Sequence, residues 1–350
     1  MKISQRVSRL SPSLTLALTA KAKAMKAEGI DVASFGAGEP DFDTPDFIKD
    51  KVFEDLKAGK TKYTAAKGGN DILDAVQGAL RRDYGLEYDA AQIVVSVGGK
   101  HSLYNVFQAI VDPGDQVVIP APYWLTYPQQ VLAADGEPVY LECGPEQNFK
   151  MTPAQLDEAI TDKTAAVVLN SPSNPTGAVY TKDELLALGE VLKKYPHVTV
   201  VSDDLYEKLV YAPAEFHSIV KLVPELAERS IIVNGWSKAY AMTGWRLGWL
   251  AAPLPVAKAI TSLQSHSTSN VTSFIQSAGA AALLSDHKFL EEWKKTFDER
   301  RRLIVEGLNN IPGVKATMPE GAFYVFPDIS GLFGKKIAGK EIKGSMDFAD

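Results

Sequence analysis

Short apolar runs alternate with amphipathic stretches through the middle of the chain. Six runs are rich in Val, Ile and Leu and are nearly all apolar, namely QIVVSV, DQVVIP, AAVVLN, VTVVSD, SIIVNG and RLGWLAA. Such runs are typical of strands that are buried on both faces of a sheet. Helical patterns follow from about Lys100 and from about Tyr123, and KDELLALGEVLKKY forms another. This alternation predicts an α/β fold with a mostly parallel sheet flanked by helices.

The pattern changes after about residue 285. DHKFLEEWKKTFDERRRLIVEGLNNI has the period of one long amphipathic helix, and VKATM and AFYVFPDI have the pattern of strands in a second layer. KEIKGSMDFAD predicts the beginning of a further helix. Near the N-terminus, Leu and Ala recur at helical spacing through Met25. We therefore expect a large domain at 46–285 and a smaller α/β domain from both chain ends, with 1–45 as an N-terminal arm and 286–350 as the C-terminal part.

Composition and charge exclude several classes of protein. The 350 residues carry a net charge of −6, which disfavours a nucleic-acid or anionic-membrane surface. The chain has no apolar run near the ~20 residues of a membrane span. LTLALTA loosely imitates a signal peptide but is short and broken by threonines, so we predict a helix there. The single cysteine, Cys143, fits a reducing compartment, and we expect a cytoplasmic protein.

Candidate functional residues lie where the predicted strands end. Ligands of open α/β sheets bind at the carboxyl ends of the strands. The groups that follow five of the runs are Gly98-Gly99-Lys100, Pro122-Tyr123-Trp124, SPSNPTG with Asn174, Asp203 to Tyr206, and Gly235 to Lys238. The five histidines have no metal-ligand spacing, so we expect no metal site.

These groups suit one ligand, pyridoxal 5′-phosphate (PLP). Glycines at a helix N-terminus can bind a phosphate through backbone N–H groups, and Arg246 can add a bidentate contact. A lysine can form a Schiff base with an aldehyde. A buried carboxylate can keep a pyridine nitrogen protonated, and a tryptophan can stack on the ring. The sequence therefore predicts a PLP site.

Several motifs resemble class I and II PLP-dependent aminotransferases of fold type I, with the bacterial aspartate aminotransferases as the subgroup of nearest wording. GWSKAYAMTGWRLG, residues 235–248, fits the attachment signature of that family at every position. Six further motifs resemble the family in its usual order, namely FGAGEPDFDTP, TKYTAAKGG, GGKHSLYN, PYWLTYP, SPSNPTG and SDDLYEKLVY. The resemblance implies the fold type I architecture with a seven-stranded sheet.

The resemblance also implies a role for each matching residue. Lys238 would form the Schiff base and move the substrate's proton, and Asp203 would pair with the pyridine nitrogen. Asn174 and Tyr206 would contact the phenolic oxygen, and Trp124 would stack on the ring. The phosphate would be held by Gly99, Lys100 through its backbone N–H, Ser237 and Arg246, although some relatives place the serine where this chain has Gly235.

A homodimer with shared sites is a further implication of the resemblance. Tyr63 would reach the phosphate of the neighbouring subunit, and His266 to Asn270 of SHSTSN would lie near that subunit's site. Gly38, Trp124 and Asn174 would contact the substrate.

The family pattern continues beyond the point where this sequence ends. Its members carry a later arginine, in a pattern like RLSYA, that binds the substrate's α-carboxylate, and Arg301 and Arg302 lie instead in the long charged helix. We interpret the sequence as a C-terminally truncated form of the pattern. The alternative is a naturally short protein that binds PLP with impaired turnover.

Our first hypothesis for function is transfer of an amino group from L-aspartate to 2-oxoglutarate. Alternatives on the same cofactor are an aminotransferase for aromatic amino acids, alanine or prephenate, and a β-lyase. A PLP-binding regulator is disfavoured, because the motifs begin by about Val32 and leave no room for a preceding DNA-binding domain. A nicotinamide-dependent dehydrogenase is disfavoured because GAGEPD lacks the third glycine of the dinucleotide motif.

Overall fold

The computed structural model describes residues 1–36, 38–337 and 339–349, with all their side chains except that of Leu16. Ala37 of the FGAGEPDFDTP motif and Asp350, the last residue of the predicted terminal helix, lie outside the described residues. The α-helices of the described chain are α1 (Gln5–Ser8), α2 (Leu14–Ala27), α3 (Asp46–Lys57), α4 (Asn70–Ala79), α5 (Gly99–Ile110), α6 (Thr126–Ala133), α7 (Pro153–Ala159), α8 (Lys182–Lys193), α9 (Ile219–Leu222), α10 (Leu254–Ser265), α11 (Ser273–Leu284), α12 (Lys288–Asn309) and α13 (Ser345–Ala349).

In the described residues, seven strands form one sheet, and two very short strands pair with each other near the C-terminus. They are β1 (Ile93–Ser96), β2 (Gln116–Ala121), β3 (Glu137–Glu142), β4 (Thr164–Asn170), β5 (Thr199–Asp203), β6 (Ser230–Gly235), β7 (Gly248–Ala251), β8 (Lys336–Ile337) and β9 (Lys340–Glu341). The order across the large sheet is β1-β7-β6-β5-β4-β2-β3. All neighbouring pairs are parallel except those of β7, which is antiparallel to both β1 and β6. The prediction of a mostly parallel seven-stranded sheet is confirmed.

The sheet is covered on both faces, which is why its strands are apolar throughout. All four residues of β1 are buried, and Ile93 and Val95 join one core cluster whereas Val94 joins the other. The cluster of Val94 also contains Phe107 of α5 and Ile260 of α10. Alternate side chains of a strand point to opposite faces, so helices must shield both sides from water.

Three elements differ from the predictions. Strand β3 was not predicted, because EPVYLE lies at the sheet edge, is largely solvent-accessible and is not one of the runs rich in Val and Ile. VKATM and AFYVFPDI form no strand and are joined only by an isolated bridge of Lys315 with Asp328, while Gly321 between them forms a second bridge with Val210. The backbone N–H groups of 320–322 bond to loop carbonyls instead of a strand partner. Helix α6 begins at Thr126, a few residues later than the pattern suggested.

The N-terminal residues contact both parts of the predicted division. Arg9 forms an ion pair with Asp135, which follows α6. By contrast, Phe42 stacks on Trp293 of α12 with ring centroids 4.7 Å apart. The division into 1–45, 46–285 and 286–350 stays a prediction. No helix among residues 1–36, 38–337 and 339–349 is long and apolar enough to cross a membrane.

A buried glutamine joins several elements beneath the carboxyl edge of the sheet. Gln264 of α10 has no solvent exposure. Its Nε2 donates to the carbonyls of Ala66 (2.6 Å) and Val95 (2.8 Å). Its Oε1 accepts from the hydroxyl of Ser96 (2.8 Å) and from Nδ2 of Asn105 (3.2 Å). One amide therefore satisfies four polar groups at the end of β1, in α5 and in the loop after Tyr63.

We predict that Gln264→Leu lowers the free energy of unfolding by at least about 3 kcal/mol, because each polar group left buried without a partner costs about 1–3 kcal/mol. The measurement is urea unfolding of the protein without cofactor. Gln129→Leu is the control, because Gln129 accepts one exposed bond from the Ser11 amide. Equal losses in the two variants would contradict the prediction.

Candidate active site

Five strand ends bring the predicted residues to one edge of the sheet. Gly99 opens α5 after β1, Asp203 is the last residue of β5, and Lys238 follows β6. Asn174 and Trp124 lie in the loops after β4 and β2. Strands β2, β4, β5 and β6 are mutually parallel, and β1 runs in the same direction because β7 lies antiparallel between it and β6. Their carboxyl ends therefore meet at one edge.

The amine of Lys238 lies in a partly buried position with few polar neighbours. Its Nζ donates to the carbonyl of Gly38 at 2.5 Å and lies 5.9 Å from the ring centroid of Tyr206. Burial lowers the pKa of Lys238 to about 8, and the cations Arg246 and Lys100 act in the same direction while Glu39 opposes them. A larger fraction of this amine is therefore neutral, and able to attack a carbonyl, than in an exposed lysine.

Asp203 is a buried carboxyl with a prearranged environment. It is 5% exposed, and its Oδ2 accepts from the hydroxyl of Tyr127 at 2.6 Å. Burial raises the pKa of Asp203 to about 6, whereas the Tyr127 hydrogen bond and the Lys238 charge oppose the increase. A protonated nitrogen base beside this carboxylate would recover much of the desolvation cost, because an opposite charge favours the ionised form.

Three hydroxyl and amide groups form a cluster beyond Asp203. The Tyr206 hydroxyl lies 2.7 Å from the Tyr324 hydroxyl, and Nδ2 of Asn174 lies 3.4 Å from each of these oxygens. The sequence motifs located Asn174 and Tyr206. They missed Tyr324, because its segment had the pattern of a strand in a separate layer and carried no motif.

Bare backbone surrounds the beginning of α5. A Cβ on Gly248 would lie 2.2 Å from the Gly99 nitrogen, and one on Gly98 would lie 2.5 Å from a terminal nitrogen of Arg246. Gly98 also has a φ of 88°, which side chains of L-residues rarely adopt. Arg246 is anchored through Nη1 to the Thr243 carbonyl at 2.8 Å. A helix N-terminus, a guanidinium and the absence of side chains together fit a phosphate group.

The remaining predicted residues are more loosely connected to this edge. Ser237 is buried and precedes Lys238 directly. The Trp124 ring lies 5.0 Å from Nζ of Lys100, so this amine covers one ring face in the described conformation. Tyr63 is 91% exposed and its side chain faces away from the chain's own core. Within residues 1–36, 38–337 and 339–349, His, Cys, Asp and Glu side chains form no group of three or more that could hold a metal ion.

Sequence comparisons match known proteins over most of the chain. The family model "Aminotransferase class I and II" matches residues 30–345. The chain is 50% identical over 329 residues to the aspartate aminotransferase of Geobacillus stearothermophilus, covering 94% of this chain and 83% of that protein. It is 48% identical over 337 residues to the aspartate/prephenate aminotransferase of Cereibacter sphaeroides, covering 96% and 84%.

Solved structures are similar over the same range. The aspartate aminotransferase from Rhizobium meliloti superposes with a TM-score of 0.96 at 43% identity, covering 99% of this chain and 87% of that one. The Thermus thermophilus aspartate aminotransferase with maleate gives a TM-score of 0.91 at 41% identity, covering 95% and 86%.

The chain belongs to the class I and II aminotransferase family. It is an enzyme of the PLP-dependent aminotransferase type, with the fold type I architecture. The buried carboxyl, the amine of lowered pKa and the bare helix N-terminus fit that cofactor.

We predict that Gly248→Ala weakens PLP binding at least about tenfold, because the new Cβ would collide with backbone atoms of Gly98 and Gly99 and displace the N-terminus of α5. The measurement is a titration of the cofactor-free protein with PLP, followed by quenching of protein fluorescence. Gly244→Ala is the matched control, since nothing lies within 4 Å of a Cβ at Gly244. Unchanged PLP affinity in Gly248→Ala would contradict the claim that Gly248 keeps the N-terminus of α5 in position to bind the phosphate.

We predict that covalent attachment of PLP to Lys238 accelerates about tenfold per pH unit below pH 8 and levels off above it. The attacking form is the neutral amine, and a pKa lowered to about 8 makes that form predominant above pH 8. The measurement is peptide mapping after borohydride trapping at several pH values, with Lys238→Arg as the control for other lysines. A rate that continues to rise towards pH 10 would show that the amine is not desolvated.

Proposed function

We propose that the protein transfers the amino group of L-aspartate to 2-oxoglutarate at the site around Lys238. The observation that carries the proposal is the convergence of an amine of lowered pKa, a buried carboxyl and a glycine-lined helix N-terminus at one sheet edge. The names of the relatives supply the substrate, since aspartate occurs in each of those described above.

Each predicted residue has a proposed part in holding the cofactor. The backbone N–H groups of Gly99 and Lys100, the hydroxyl of Ser237 and the guanidinium of Arg246 bind its phosphate. The Asp203 carboxylate holds the proton of the ring nitrogen, and Trp124 stacks on the ring. Tyr206 and Asn174 donate hydrogen bonds to the phenolic oxygen. The positions of Gly99, Asp203 and Ser237 at or just after strand ends support their assignments.

The chemical step depends on Lys238. When bound, PLP supplies an aldehyde for covalent attachment and a ring that withdraws electrons from the substrate's Cα. Lys238 would hold the cofactor through its Nζ, and its neutral amine would accept the proton of the substrate's Cα and deliver it again. We further propose that Gly38, Trp124 and Asn174 contact the substrate.

We also propose a cytoplasmic homodimer in which each subunit completes the site of the other. Tyr63 is 91% exposed and Phe35 83% exposed, which suits aromatic side chains that reach a partner. The loop 266–270 follows the buried Gln264, whose carbonyl accepts from the amides of Ser267, Thr268 and Ser269. The single cysteine, Cys143, is free and buried.

We predict that Lys238→Ala reduces oxaloacetate formation from L-aspartate and 2-oxoglutarate at least about 10³-fold, because a positioned general base contributes about 10²–10⁴ and the attachment point is lost as well. The assay is run with saturating PLP. Lys258→Ala is the control, because Lys258 lies on α10 outside the site. Comparable activity in the two variants would contradict the role of Lys238.

Amino acids and acceptors other than aspartate and 2-oxoglutarate distinguish the alternative functions. Prephenate is the second candidate acceptor, because the Cereibacter sphaeroides relative is named an aspartate/prephenate aminotransferase. Transfer from aromatic amino acids or alanine but not from aspartate would support an aminotransferase for those amino acids. Release of ammonia would indicate a β-lyase. Cofactor binding without turnover of any amino acid would favour the PLP-binding protein with impaired turnover.

A further inference from the structure

The hydroxyl of Tyr324 extends the proposed cofactor-binding cluster by one group. It lies 2.7 Å from the Tyr206 hydroxyl, and the two rings meet nearly edge to face with centroids 5.6 Å apart. The same hydroxyl would lie 3.2 Å from a Cβ on Gly38, whose carbonyl accepts from Lys238. Tyr324 therefore connects the C-terminal part of the chain to both the Tyr206 hydroxyl and the neighbourhood of the amine.

Backbone hydrogen bonds fix the segment that carries Tyr324. The amides of Glu320 and Gly321 donate to the carbonyl of Gly177 at 3.0 and 2.8 Å. The Ala322 amide donates to the Leu209 carbonyl at 2.8 Å, and the Tyr211 hydroxyl donates to the Ala322 carbonyl at 2.5 Å. The segment is thus attached both to the loop of Asn174 and to the residues after Tyr206.

The close approach at Gly177 indicates how little freedom this segment has. A Cβ on Gly177 would lie 2.4 Å from Cβ of Pro319 and 2.7 Å from the Gly321 carbonyl oxygen. Gly177 also has a φ of 69°. The Tyr324 hydroxyl is consequently held at the Tyr206 hydroxyl by its backbone, and not only by the bond between the two oxygens.

We propose that Tyr324 is a positioning residue which, through Tyr206, stabilises negative charge on the phenolic oxygen of the bound cofactor; this inference rests on the proposed function. A tyrosine hydroxyl has one proton and can also accept. When Tyr206 donates its proton to the cofactor oxygen, Tyr324 can only donate to Tyr206. A hydroxyl that accepts a hydrogen bond is a stronger donor, because neighbouring hydrogen bonds polarise one another.

The protonation state of Tyr324 agrees with this donor role. Burial raises the pKa of Tyr324 to about 12, so its hydroxyl keeps its proton at neutral pH. The ring has an independent packing role against Phe323, with centroids 4.8 Å apart. Tyr324→Phe keeps that ring and deletes only the oxygen with its contacts to Tyr206 and Asn174, so it separates hydrogen bonding from packing.

The test measures the pH midpoint of the visible absorbance of the bound cofactor. For Tyr324→Phe we expect an upward shift of about 0.3–1 pH unit, with PLP affinity changed less than about threefold. Tyr206→Phe should shift the midpoint upward by more. Tyr195→Phe is the matched control and should leave it unchanged, because the Tyr195 hydroxyl bonds to Asp157 away from the site.

A double variant tests whether Tyr324 acts through Tyr206. In the Tyr206→Phe background, Tyr324→Phe should cause no further shift, because the intermediate hydroxyl is gone. An equal shift in both backgrounds would overturn the proposal, as would an unchanged midpoint in Tyr324→Phe.

A downward shift would also overturn the proposal, because it would mean that Tyr324 competes with the cofactor for the Tyr206 proton. A wild-type protein that binds no PLP would instead overturn the proposed function, and this inference with it.

Discussion

The electrostatics of the site depend on the burial of one carboxyl and one amine at the same sheet edge. Desolvation raises the pKa of Asp203 to about 6 and lowers that of Lys238 to about 8, so burial favours the uncharged form of both groups. Neither group has a full charge partner within the described residues: the carboxylate has the neutral hydroxyl of Tyr127, and the amine has the carbonyl of Gly38. A protonated ring nitrogen would supply the charge partner of Asp203, and an aldehyde would react with the neutral amine of Lys238.

Much of the fold could be predicted because buried parallel strands carry an unmistakable pattern. Six of the seven strands of the large sheet are nearly uniform in apolar residues, since helices cover both faces. Strand β3 at the sheet edge escaped, because half-exposed strands tolerate polar residues and EPVYLE lacks a uniform run. For residues 314–328 the error was the opposite, because strands were predicted and none formed. These segments have apolar side chains like those of a strand, but backbone groups at 320–322 form hydrogen bonds to loops.

The site was predictable to the extent that its residues follow strands directly. Gly99, Asp203 and Lys238 lie at or just after a strand end, where topology alone brings them together. Tyr324 could not be found in this way, because its position depends on hydrogen bonds of 320–322 to carbonyls that are far away in sequence. Such tertiary contacts leave no local pattern. The roles of the individual residues, and the domain boundaries, stay predictions.

The pairing of Gly38, Lys238 and Tyr324 affects the order in which the protein can mature. These three residues come from the beginning, the middle and the end of the chain, so a nascent polypeptide that has emerged only through Lys238 exposes the amine before the Tyr324 hydroxyl exists. The bonds to Gly177 and Leu209 that hold the late segment must also wait for residues 320–322. Contacts between residues so far apart in sequence form slowly, because the entropy cost of closing the intervening chain must be met before the contacts stabilise the fold. The cluster formed by the Asn174 amide and the hydroxyls of Tyr206 and Tyr324 can therefore be complete only after residue 324 has been synthesised.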